Sequence, residues 1–182
     1  AYGGTPTTLD TATQRLYKPA NKSVGDWRRE NVNKMIKAVY DTIQAIKPYV
    51  KFGVSPFGTW TTNESVATSR GITLPQGVGL TGNMYEEIYC DPIAWLEEGT
   101  VDYISPQLYW TSTSIYPYGI LANWWSGIAS QFGRHFYSSH STSSLSGAPA
   151  ATKQIVFRND TININALSMA ERGTMLQAVA QT

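Results

Sequence analysis

Only one cysteine, Cys90, stands in the chain, so no intrachain disulfide can form. Only His135 and His140 could join it in a zinc site, and neither stands at ligand spacing from it, so no metal is expected. Charge is scarce as well: 15% of residues, 14 basic against 13 acidic, net +1. No basic run is available to grip a phosphate backbone, which sets nucleic acid aside as a partner. No stretch approaches the ~20 apolar residues of a membrane helix, so no transmembrane segment is expected. No Gly-x-Gly-x-x-Gly or Walker loop is present, which weighs against nucleotide-binding α/β folds, and no cofactor is expected. Ala1-Tyr2-Gly3-Gly4 offers neither a charged nor an apolar leader region, so no signal peptide is visible. The first residue is not methionine, so the chain is expected to be processed, trimmed or an excerpt.

What is present is globular. The chain has 182 residues, 42% of them apolar, enough for one domain with a core of its own. Aromatics are plentiful at 12%, with 6 Trp, 11 Tyr and 5 Phe. Flat rings stack on sugars, and they also fill cores; composition alone leaves both uses open.

The hydrophobic pattern alternates between helix and strand. Residues 1–25 read as an irregular loop. Asp26 reads as a helix cap, followed by an apolar stripe at Val32, Met35, Ile36, Val39, Ile43 and Ile46, with Pro48 as the stop. A strand from Val50 ends near Ser55, and 58–82 reads as a long polar loop. A helix with a broken start covers Asn83–Glu98, its true beginning near Asp91, and Gly99 ends it. Val101–Trp110 is a second strand, 118–132 a third helix, and His135–His140 a third strand. For 153–182 the pattern suggests one or two weak helices. Long segments follow the strands and short turns precede them. That asymmetry fits parallel strands with crossover helices and a working face at the strand C-termini.

Three segments then carry a resemblance: Asp26-Trp27-Arg28-Arg29-Glu30-Asn31-Val32-Asn33, Phe52-Gly53-Val54-Ser55-Pro56-Phe57-Gly58-Thr59-Trp60, and Trp95 through Trp110 with its Ile104-Ser105-Pro106-Gln107-Leu108-Tyr109-Trp110 end. In this order they resemble the glycosyl-hydrolase-10-like family of bacterial secreted proteins and lipoproteins, over about residues 20–160. The resemblance implies a (β/α)8 TIM barrel of which this chain supplies roughly strands five to seven. It implies a polysaccharide or glycan substrate, peptide-free peptidoglycan strands among them, and an extracytoplasmic location. It divides the chain into a half-barrel, 1–160, and a tail, 161–182, that does not fit the family pattern. The family's acidic motif, of Asp-Asp-Tyr type at the fourth strand, is expected just before Ala1.

Glycoside cleavage usually needs two carboxyl groups, ~5–5.5 Å or ~6.5–9.5 Å apart, facing the sugar. The strand ends here carry Ser55, Phe57, Gln107, Tyr109, Trp110, Ser139 and His140, none of them an acid. No catalytic residue is therefore assigned. Among the acids only Glu64, in the long loop, stays open as a candidate beside the reading of a solvated charge. The substrate-binding candidates are Trp60, Gln107, Tyr109, Trp110 and His140. Gln107 and Tyr109 lie two apart on a strand and share a face, where an amide can bond sugar hydroxyls or the pair can fill barrel layers. Trp60 and Trp110 could stack on rings, and His140 could bond a hydroxyl or serve the fold. Arg28 and Arg29 open a helix against its dipole, so a carboxylate partner is expected, on the other half of the barrel if not here. Three functional readings remain: part of a glycoside hydrolase, inactive by itself; a carbohydrate-binding domain without catalysis; and a half-barrel that works by association, as a homodimer or with the other half.

Overall fold

A computed structural model describes residues 10–79, 81–110 and 114–140, and the backbone of 154–157 and 160–163. The segment expected to be a loop contains a helix, α1 (Thr11–Tyr17), which buries no residue. A polar clamp holds it: both carboxylate oxygens of Asp10, the residue before α1, accept from the Arg28 guanidinium, at 2.9 and 2.7 Å. A search for apolar periodicity does not register such a tether.

Helix α2 (Val24–Ile46) starts earlier than Asp26 suggested. Ser23 is the N-cap, its Oγ accepting from the Asp26 amide at 3.0 Å. Asp26 sits inside the first turn, where a negative charge complements the helix dipole. The expected apolar stripe is only partly used. Ile36 is buried and Val32 packs on the core, whereas Met35, Val39 and Ile46 are exposed. Trp27 and Arg29 complete the buried face.

Strands β1 (Gly53–Val54), β2 (Tyr103–Ile104) and β3 (His135–Phe136) form a parallel sheet in the order β1-β2-β3. Gly53 pairs with Tyr103, and Tyr103 with His135. Single bridges Phe57–Gln107 and Gln107–Ser139 carry the same register to the strand ends. The segment expected to be a loop between β1 and the next helix folds locally into α3 (Glu64–Ser69), because Asn63 accepts from the Ser65 and Val66 amides and Ala67 is buried.

The helix with a broken start is two helices, α4 (Met84–Glu87) and α5 (Pro92–Glu97). They part at Tyr89, whose φ of +57° no α-helix tolerates. Asp91 caps α5 with Pro92 in its first turn, as the sequence suggested, and Gly99 takes a φ of +67° just past its end. Helix α6 (Tyr118–Gln131) is followed by Gly133 at φ +64°. The core lies between the sheet and these helices: Ile104, Leu108 and Val101 bury against Ile93, Leu96, Leu121 and Trp125.

In the stretch 153–182, expected to hold one or two weak helices, the described part is an antiparallel hairpin and the rest lies outside the described residues. Strand β4 (Gln154–Phe157) pairs with β5 (Asp160–Asn163), Gln154 opposite Asn163. The boundary drawn at 160/161 therefore falls inside β5, and 164–182 lie outside the described residues. The architecture is a mixed α/β one with a small parallel sheet and helices, consistent with part of a barrel. No described helix is long and apolar enough to cross a membrane.

Candidate functional site

Alternation along the strands divides the sheet into two faces. Ile104 and Leu108 go under the helices. Ser55, Phe57, Gln107 and Tyr109 go to the other face, where Phe57 is 42% and Tyr109 47% exposed. Gln107 and Tyr109 thus share a face, on either side of a Leu108 that is fully buried. On this open face Tyr103 lies across Gly53, whose missing side chain makes room: a Cβ there would sit 2.3 Å from the Tyr103 ring. Tyr137 meets Tyr103 edge to face at 5.3 Å. Lys51, Asp102, Tyr103, Ser105, His135 and Tyr137 border a groove of about 530 Å³ beside them.

Three hydroxyls meet at the strand ends. Ser139 Oγ lies 2.8 Å from Ser105 Oγ and 3.1 Å from Ser55 Oγ, and donates to the Ser105 carbonyl at 3.0 Å. Gln107 Nε2 donates to the Ser55 carbonyl at 3.2 Å. The cluster links all three strands and fixes the Gln107 amide. Ser105 escaped the sequence reading; counting back two residues from Gln107 would have put it on the same face.

The other candidates separate. Trp110 sits at the tip of its segment, half-buried, 4.6 Å from the Tyr116 ring and directly over Gly58, where a Cβ would come within 2.6 Å of its indole. The Tyr116 hydroxyl is in turn hydrogen-bonded to Thr81. Trp60 is not a surface platform: it is 2% exposed, packed edge-on to Tyr85 at 6.1 Å within the core, because the residues after β1 turn under α4. Its indole N–H is buried without a well-formed hydrogen bond, yet lies near enough to Asp91 to favour that carboxylate's charged form. His140 faces the helices and not the open face, its ring 5.2 Å from Tyr118 of α6 and its Nε2 buried without a partner among the described residues. Burial holds its pKa below the ordinary imidazole value.

The described acids lie away from the strand ends. Glu64 is in the first turn of α3, at a capped helix start. Asp102 accepts from the Phe52 amide at 2.8 Å where β2 begins. Asp91 is buried against Arg70 at 2.6 Å; desolvation, only partly offset by that cation, raises its pKa. The partners expected for Arg28 and Arg29 lie in this chain: Asp10 for Arg28, Asp26 at 2.6 Å and Glu86 at 3.2 Å for Arg29, whose guanidinium also lies 3.9 Å over the Tyr85 ring. Burial pushes the Cys90 thiol up to about 12, which favours the protonated form where it packs, half-buried, against the core. No group of three or more potential metal ligands gathers among the described residues.

Comparison with known proteins places these observations. The model of the family described as glycosyl hydrolase-like 10 matches residues 5–156. The glycosyl hydrolase YngK of Bacillus subtilis is 41% identical over 130 residues, 70% of this chain and 24% of that protein. The glycosyl hydrolase DigH of Escherichia coli K12 is 41% identical over 121 residues, 65% of this chain and 26% of that protein. The chain therefore spans about a quarter of the length of the curated relatives it matches.

Proposed function

Since the chain belongs to the glycosyl hydrolase-like 10 family, we propose that it is part of a glycoside hydrolase of (β/α)8 type and supplies a glycan-binding face, with the cleaving carboxyls outside it. The observation that carries this reading is the open strand-end face. Gln107 and the serine cluster offer hydrogen bonds, Phe57 and Tyr109 offer exposed rings, and no described carboxylate stands at the strand ends. Such a face can hold a sugar through hydroxyl contacts and ring stacking. It has no pair of acids to protonate a leaving group and activate water. Trp110, two residues from Leu108, packs half-buried against the core over Gly58 and lies off this face.

The substrate class is a polysaccharide, with peptide-free peptidoglycan strands as the first to try, and the setting is extracytoplasmic; both follow from the family resemblance. The test is binding of such strands by the intact protein. Gln107→Ala and Tyr109→Ala should each weaken binding several-fold, a lost hydrogen bond or stacking contact being worth about 1 kcal/mol. The 182-residue chain alone should release no reducing ends. Unchanged binding in both variants would overturn the binding face, and hydrolysis by the short chain would overturn the placement of the acids.

A second reading, assembly with further chain or with a second copy, has its own support. Among the described residues β1 and β3 each have a strand on one side only, and Met35, Val39 and Ile46 form an exposed apolar line on α2.

A further inference from the structure

We infer that the strand-end face is a subsite for a neutral sugar unit, one that presents hydroxyl or amide N–H donors, and that it turns away a carboxylate-bearing unit. This rests on the glycan-binding reading above and narrows it. The argument is a count of protons. A serine hydroxyl has one proton to give and two lone pairs to receive with. Ser139 Oγ lies 3.0 Å from the Ser105 carbonyl oxygen, which can only accept, so the Ser139 proton goes there. Its lone pairs then receive the protons of Ser105 Oγ at 2.8 Å and Ser55 Oγ at 3.1 Å. Both outer serines have spent their protons inward and keep lone pairs for a ligand.

Gln107 adds to the same bias. Its neighbour, the Ser55 carbonyl, can only accept, so Nε2 must face it, at 3.2 Å. That sets the amide orientation and leaves Oε1 and one N–H for a ligand. Three acceptors, Ser55 Oγ, Ser105 Oγ and Gln107 Oε1, thus stand against one donor. Ser55 is exposed and Gln107 and Ser105 are half-buried, so the group is within reach from the open face. Lys51, which borders the groove together with Ser105, is paired with Asp102 at 3.5 Å, so its charge is already met. A sugar hydroxyl or acetamido N–H meets the lone pairs with a proton; a carboxylate meets them with more lone pairs.

The test uses the intact protein and two probes that differ at one carbon: chitotetraose, and chitotetraose oxidised to the carboxylate at C6 of its non-reducing-end unit alone. Calorimetric titration should show the neutral probe binding about tenfold more tightly, the difference expected when a hydrogen bond is replaced by two facing acceptors. Ser139→Ala frees the protons of Ser55 and Ser105 and should narrow the ratio to about threefold or less, whereas Ser139→Thr keeps the hydroxyl and the ratio. Ser55→Ala, on an exposed residue, should weaken the neutral probe about threefold with the fold intact. A merely structural role for Ser139 would weaken both probes alike and leave the ratio where it was, which would overturn the inference. Equal binding of the two probes by the native protein would also overturn it while sparing the glycan-binding reading. Binding of neither probe would remove both.

Discussion

Gly58 shows how much one residue can decide. A methyl group there would fall 2.6 Å from the Trp110 indole, 2.7 Å from the Gln107 carbonyl and 2.8 Å from Leu108. One of these neighbours, Gln107, belongs to the proposed glycan face. Gly58→Ala should therefore cost about 1–3 kcal/mol in denaturant unfolding and move Trp110, visible as a shift in tryptophan emission. Arg70 is decisive in another way. It shields Asp91, which is buried, so Arg70→Ala strands a carboxylate and should cost about 3 kcal/mol, less what its own partial exposure returns. The same variant should become more stable as pH falls. A raised carboxyl pKa means that the folded state binds a proton the unfolded state has already lost, so stability drops as pH rises through the folded value. His140 has the opposite sign. Its folded pKa lies below 6.5, so below that pH the unfolded chain gains a proton the folded chain refuses, and stability falls as pH is lowered. Melting temperatures of His140→Phe between pH 5 and 7.5 should show this slope flattened.

At the scale of elements, the sequence was most legible where apolar periodicity and punctuation coincide. Pro48 and Gly99 mark ends that the helices respect, and the parallel order of β1, β2 and β3 follows from the alternation of strand and helix. It was least legible where polar contacts do the work. Helix α1 is tied by Asp10 to Arg28, and α3 by the Asn63 cap; neither shows an apolar stripe. Trp60 misled for a related reason. A tryptophan after a strand fits a sugar platform and a core plug equally well, and only the path of the following segment decides. The Ser55, Ser105 and Ser139 cluster was hidden because its members lie 34 to 84 residues apart, and nothing local to any one of them announces the others. Ser23 and Asp26, three residues apart, are both good caps by type, and only the Ser23 Oγ contact to the Asp26 amide decides between them. Ser23→Ala should cost about 1 kcal/mol, read from urea unfolding, while Asp26→Asn should disturb the Arg29 pairing as well.

For the whole molecule the question is what covers the open face and the strand edges. The chain matches about a quarter of each relative, and its parallel sheet holds three strands among the described residues, whereas a closed (β/α)8 barrel has eight. Sedimentation of the 182-residue chain should show self-association or marginal stability, since Phe57, Tyr109 and the outer line of α2 stay exposed in it. A stable monomer with cooperative unfolding would speak against that reading.

Gly53 and Tyr103 stand 50 positions apart in sequence and occupy the volume of one side chain between them. They should therefore behave as a single locus. Gly53→Ala alone is expected to be poorly tolerated, while Gly53→Ala together with Tyr103→Ala should recover part of the loss. Across natural variants the two positions should drift as a pair, with bulk permitted at 53 only where the ring at 103 has been given up.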